Sequence, residues 1–214
     1  MLKKQTKIAF GVDEVGRGCL GGPVFACALT KSGEQFCRHS ERVGRAKNLD
    51  SRDSKKLNAK QREEIYKILK ADPDIVWGIG RVGERVIDKI NILQATKLAM
   101  IKAVKNLEKK IGKQANMLLI DGNFGIDIKR PQQSIVKGDE KIPLIALASI
   151  VAKVHRDRLM VKLHKSYPQY GFDKHKGYGT KQHLIALANF GVCKIHRVSF
   201  SPVHQFSKVL RIHS

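Results

Sequence analysis

The chain has 214 residues, 42% of them hydrophobic, and 41 Lys and Arg against 19 Asp and Glu give it a net charge of +22. That length suits one domain with a core needing no staples; no apolar run is long enough for a membrane span, and cysteines 19, 27, 37 and 193 form no C-x-x-C pair or zinc spacing. So large an excess of positive charge repels itself in a compact fold and points to a polyanion, nucleic acid before membrane, because the basic residues are scattered and not gathered on one amphipathic helix.

The basic N-terminus, MLKKQTK, runs directly into a strand and not into a signal-peptide apolar region, so the chain reads as soluble, reduced and cytoplasmic. Lys7 to Val12 and Gly22 to Thr30 are predicted strands, and Ser32 to Asn48 is predicted loop with an irregular strand. Asn58 with Gln61 three residues on has the form of a capping box. Ile65, Ile68 and Leu69 supply the apolar face of the helix it opens, and Asp72-Pro73 ends it. Asp74 to Val82 is β-like. From Ile92 to Ile111, Ile92, Ala95, Ala99, Ala103, Val104, Leu107 and Ile111 recur at helical spacing, with Gly112 as the stop.

Met117 to Ile120 is a short strand ending at Asp121-Gly122. Gln132 to Val136 is another, ending at Lys137-Gly138-Asp139. Pro143 belongs in the first turn of a long helix reaching about His164, whose half from Leu144 to Val154 is apolar nearly all round and therefore buried. A final helix follows Thr180 and stops at Gly191. Leading strands followed by alternating strand and helix define an α/β class, a mixed central sheet flanked by helices with a small helical C-terminal portion, about 180–214, in one domain over 1–214.

Three apolar runs end in acids: Val12-Asp13-Glu14, Leu119-Ile120-Asp121-Gly122, and Ile135-Val136-Lys137-Gly138-Asp139. Ligands of α/β sheets collect where strands end and chain order switches. If these ends meet, four carboxylates converge, which is unfavourable unless cations neutralise them. Hard divalent ions, Mg²⁺ or Mn²⁺, suit such all-oxygen sites, and a pair of them can act on a phosphodiester. Asp139 alone also fits a helix cap, and Asp157 fits an ion pair with Lys153 on a helix surface.

In this order the segments resemble the ribonuclease HII family. The resemblance rests on Gly11-Val-Asp-Glu-Val-Gly-Arg-Gly18, Asp53-Ser-Lys-Lys-Leu57, Leu119-Ile-Asp-Gly122, Val136-Lys-Gly-Asp139, Ala148-Ser-Ile-Val-Ala-Lys-Val154 with Arg156-Asp157, Tyr167-Pro-Gln-Tyr-Gly-Phe172, His175-Lys-Gly-Tyr178 and His196-Arg-Val-Ser-Phe200. It implies a ribonuclease H-like fold and metal-dependent cleavage of RNA joined to DNA, including 5′ to a single ribonucleotide in duplex DNA. It places the family's four catalytic, metal-holding acids on Asp13, Glu14, Asp121 and Asp139. The junction-reading tripeptide falls on Gly16, Arg17 and Gly18, and the junction tyrosine on Tyr178. Val15 stands where alanine is usual, and Leu20-Gly21 where a small residue is common.

Ser54 and Lys55 are the chosen phosphate contacts among a wider set of basic candidates: Lys56, Lys153, Arg156, Lys174, Lys176 and Lys181. His164, His175, His183 and His196 have no metal spacing and are assigned structural or substrate-facing places. The implied cofactor is a pair of Mg²⁺ or Mn²⁺ ions. The implied partners are an RNA–DNA hybrid or a ribonucleotide-containing duplex and no membrane, with a DNA sliding clamp as a further candidate, and the chain is expected to be monomeric. Two rivals stand beside this reading: a nucleic-acid-binding protein with purely structural acids, and a ribonuclease HIII type that prefers longer hybrids. The short segment before the first strand and an aspartate at the fourth acid favour type HII over type HIII.

Overall fold

The computed structural model describes residues 8–32 and 57–209. Ser54, Lys55, Lys56 and the loop expected over Ser32 to Asn48, beyond its first residue, lie outside them. The sheet has five strands: β1 Ala9–Val15, β2 Val24–Lys31, β3 Ile75–Val82, β4 Met117–Asp121 and β5 Gln132–Ile135, in the order β3-β2-β1-β4-β5. β1 and β2 form an antiparallel pair extended by β3, whereas β4 and β5 run parallel to β1. Chain order therefore switches across β1 and β4, whose carboxyl ends point the same way.

Helix α1, Ala59–Ala71, begins at the expected capping box. The Asn58 side chain accepts from the Gln61 amide at 2.9 Å, and Gln61 Oε1 accepts from the Asn58 amide at 2.9 Å. Its buried face is Ile65, Tyr66 and Leu69. The expected Ile68 is 56% exposed, because the stripe turns through Tyr66 instead. Helix α2, Glu84–Ile111, carries a break at Asn91, whose φ is 65°. Asn91 Oδ1 accepts from the Gln94 amide at 3.1 Å, so the residue caps the second segment, and the expected helix from Ile92 starts there.

Two layers of helix close over the sheet. Phe10, Val12, Val24, Ala26 and Ala28 pack against Ala95, Ala99, Ala103 and Leu107 of α2. Cys27 and Leu29 face Ile65 and Leu69 of α1 and the apolar half of α4, Pro143–Ser166. That half is buried as expected, with Leu144, Ile145, Ala148, Ile150 and Val151 at 2% exposure or less. The short α3, Gly138–Lys141, connects β5 to α4.

Beyond α4 a 3-10 turn, Pro168–Tyr170, leads into α5, Phe172–His175, and α6, Lys181–Phe190. Thr180 caps α6 through the His183 amide, and Gly191 ends it. This helix is not the last, contrary to expectation: α7 spans Val203–Val209. Its seven residues carry too few apolar repeats for periodicity to register. Together these pieces form a second small core around Met160, Phe172, Leu187 and Val203. No helix among the described residues is long and apolar enough to cross a membrane.

Candidate active site

The β1–β4 register places Val12 opposite Ile120, so the next residue on each strand, Asp13 and Asp121, lies at the same level on neighbouring strands. Both remain inside their strands, and β1 continues through Glu14 to Val15. Side-chain oxygens of Asp13, Glu14 and Asp121 lie within 4.8 Å of one another. Asp139 enters from the first turn of α3 and is buried, at 4% exposure. The link between β4 and α3 is direct: Asp121 Oδ1 accepts from the Gly138 amide at 2.6 Å. All four acids line one pocket of about 440 Å³, together with Gly16, Arg17, Gly18, Ser149, Lys153 and Tyr178.

Proximity of like charges has its expected consequence. Burial above all, then Glu14 and Asp121, pushes the Asp13 carboxyl well above its ordinary 3.8. A Ser149 side-chain hydrogen bond and the Glu14 amide, which donates to Asp13 Oδ1 at 2.7 Å, oppose the shift. Glu14 is raised by burial too, with Arg17 opposing. Arg17 Nη1 reaches Glu14 Oε1 at 3.3 Å, whereas Glu14 Oε2 is buried with no hydrogen-bond partner among the described residues. An acceptor oxygen left in that state is costly, and a cation would satisfy it. Three clustered carboxylates with a spare oxygen fit a hard divalent ion by donor chemistry, charge and spacing.

The wall opposite the acids consists of the β1–β2 loop and the turn between α5 and α6. Gly16 has a φ of 90°, and a Cβ there would fall on the Arg156 side chain. Gly18 is different: it is exposed, and nothing among the described residues lies within 4 Å of where its Cβ would be. Tyr178 is 41% exposed, with Lys153 Nζ 5.7 Å from its ring centroid. Lys153 pairs with Asp157 at 2.6 Å as expected, and Asp157 also holds Arg62, another pocket residue, at 3.8 Å.

Arg156 is not available to a phosphate. It is fully buried, and its guanidinium donates to the carbonyls of Pro23 at 3.1 Å, Lys176 at 2.8 Å and Gly21 at 3.0 Å. Arg197, which sequence reasoning assigned no role, is equally buried and lies behind the Gly16–Gly18 loop. Nothing in spacing separates these two arginines from the solvated ones. Three of the histidines are structural: His175 and His183 stack at 4.4 Å, and His183 Nε2 meets His196 Nε2 at 3.0 Å.

Comparison with known proteins identifies the family and the fold. A family model described as Ribonuclease HII matches residues 10–203. The ribonuclease HII of Chlamydia trachomatis serovar A is 49% identical over 197 residues, covering 91% of this chain and 82% of that protein. The one from Chlamydia caviae is 50% identical over 200 residues, 92% of this chain and 86% of its own.

Among solved structures, ribonuclease H2 from Pyrococcus horikoshii OT3 superposes with a TM-score of 0.72 at 22% identity, covering 95% of this chain and 99% of its own. RNase HII of Archaeoglobus fulgidus, solved as a complex with PCNA, gives 0.69 at 23% identity over 91% and 95%. Bst-RNase HIII, solved with Mn²⁺, gives 0.65 at 15% identity over 97% and 71%. At those identities the structural likeness speaks for the ribonuclease H-like fold. With a family match across most of the sequence and relatives near half identical, the chain belongs to the ribonuclease HII family and is a ribonuclease H-type hydrolase.

Proposed function

We propose that the protein is a divalent-metal-dependent endoribonuclease. It cleaves the RNA strand of RNA–DNA hybrids and cuts 5′ to single ribonucleotides embedded in duplex DNA, leaving 3′-hydroxyl and 5′-phosphate ends. One observation carries the reading: a tight cluster of Asp13, Glu14 and Asp121 oxygens in a pocket whose other wall is Gly16, Arg17, Gly18 and Tyr178.

Asp13, Glu14, Asp121 and Asp139 would hold Mg²⁺ or Mn²⁺. Bound there, a pair of such ions supplies a nucleophile at neutral pH and charge stabilisation at the leaving 3′-oxygen. The remaining tasks fall to the chain. Asp121 is held by the Gly138 amide and Glu14 by Arg17, so the ligand oxygens are oriented before substrate arrives. Exposed Gly18 lets main-chain groups approach a ribose closely, and reading the 2′-hydroxyl is what separates RNA from DNA. Arg17 pairs with a neighbouring phosphate. Tyr178 offers a flat face to the sugar on the DNA side of the junction. Lys153 and Arg62 line the same pocket and neutralise strand phosphates. The 2′-hydroxyl serves recognition and is not the nucleophile. A sliding clamp as protein partner is supported by the Archaeoglobus fulgidus complex.

The test is incubation with a DNA duplex carrying one ribonucleotide, in Mg²⁺ and in EDTA. Cleavage 5′ to the ribonucleotide in Mg²⁺ alone is expected, and Asp121→Asn should bind the duplex without cutting it. Undiminished turnover by that variant contradicts the scheme.

A further inference from the structure

We infer that Arg197 is the positioning residue of the ribose-reading loop: from behind Gly16-Arg17-Gly18 it fixes the main-chain carbonyls inward and so turns two main-chain amides toward the pocket. This rests on the reading of that loop given above.

The geometry is specific. Arg197 Nη2 donates to Gly16 O at 2.7 Å, and Nη1 donates to Arg17 O at 2.8 Å. Nε and Nη2 donate to Gly22 O on the returning arm of the loop, at 3.0 and 2.7 Å. A trans peptide sets its N–H opposite its C=O. With the Gly16 and Arg17 carbonyls drawn to the guanidinium, the N–H groups of Arg17 and Gly18 are directed away from it, on the loop side that lines the pocket. Neither amide donates to an acceptor among the described residues. Consecutive amides without an acceptor among the described residues, following a residue of positive φ, form a concave donor pair suited to an oxygen of the substrate.

Only a planar fork can serve three carbonyls at once; a lysine ammonium on a flexible stem cannot hold the same spread. The side chain is fully buried, and its guanidinium carbon lies 5.1 Å from the Phe200 ring centroid, a cation–π seat. Burial lowers its pKa to about 10, so it stays charged at neutral pH. A buried charge spent on loop carbonyls is an expensive way to hold a plain turn. It is an economical way to fix a loop whose main chain must not move when a sugar arrives.

Arg197→Lys tests this in the full-length protein, with affinities measured in EDTA for two duplexes that differ by one ribonucleotide. Wild type is expected to prefer the ribonucleotide-containing duplex. The variant should keep its affinity for the all-DNA duplex and lose that preference by about tenfold, as a displaced charge-assisted contact would give. In Mg²⁺ its KM for the single-ribonucleotide duplex should rise more than its kcat falls. Phe200→Leu, which loosens the guanidinium without removing it, should move both readouts less and in the same direction, and it alone decides if Arg197→Lys does not fold.

Equal loss of affinity for both duplexes marks a merely structural arginine and overturns the inference, as does an unchanged preference in the variant that folds. A wild type that neither prefers nor cleaves the ribonucleotide-containing duplex overturns the underlying reading instead.

Discussion

Asp13→Asn should make the metal-free protein more stable while abolishing its response to metal. Unit charges 4.8 Å apart, the upper limit of the separation among the Asp13, Glu14 and Asp121 oxygens, repel by about 3.5 kcal/mol at an effective dielectric of about 20. Asp13 faces two such neighbours, and it is buried. Proton uptake and the donors from Ser149 and Glu14 offset part of that cost, leaving a net gain of about 2 kcal/mol for the neutral amide. For a chain of this size that is about 4–8 °C in Tm. Metal should reverse the order, since an ion at a hundred times its Kd stabilises the wild type by about 2.7 kcal/mol. Calorimetry in EDTA and then in Mg²⁺ reads both effects. A variant that melts below wild type in EDTA, or that gains as much from Mg²⁺, refutes the frustrated-cluster argument.

The two glycines of the loop should fail differently. Gly16→Ala, at a φ of 90° and against Arg156, should lower Tm and activity together, whereas Gly18→Ala should leave Tm unchanged and depress cleavage alone. Parallel melting and cleavage assays separate them, and equal Tm losses would contradict the assignment.

Stability should also depend on the buried histidines. His183 and His196 titrate near 4 in the fold against an ordinary 6.5, because burial disfavours their charged forms. The unfolded imidazoles therefore take up protons first. The stability they contribute is present above pH 6.5 and is lost toward pH 4, at up to about 1.4 kcal/mol per pH unit for each. Asp13 and Glu14 act the other way in that window, so the check is the difference in slope between wild type and a His183→Gln, His196→Gln double variant in chemical denaturation. Identical slopes would contradict it. Asn58→Ala, which removes the reciprocal cap of α1, should cost about 1 kcal/mol, with no change in cleavage; a loss of activity at full stability would place α1 in the site instead.

Much of this molecule is legible in its sequence because local rules act where tertiary forces agree with them. Asn58 and Gln61 announce α1, Pro143 and an all-round apolar run announce the buried start of α4, and Gly112 ends α2 in the left-handed conformation its sequence suggests. The acids are visible for a related reason: apolar runs ending in Asp or Glu are costly unless a ligand explains them. Legibility ends where long-range contacts decide. Arg156 and Arg197 look like any other basic residue in a chain of charge +22, and only the fold shows that they serve main-chain carbonyls and not solvent or phosphate. Ile68 fails for a subtler reason: the buried stripe is turned about the helix toward Tyr66, which lies nearly opposite Ile68 and packs against Trp77 and His155. Short pieces such as α5 and α7 carry too few residues for a period to emerge.

The measurement closest to the centre of this account is anomalous diffraction from crystals soaked in Mn²⁺, with Asp121→Asn crystals as control. Anomalous peaks bounded by the carboxylates of Asp13, Glu14, Asp121 and Asp139 in the wild type, weakened or absent in the variant, are the expected result. Mn²⁺ found only elsewhere on the protein, or unaltered in the variant, would contradict it.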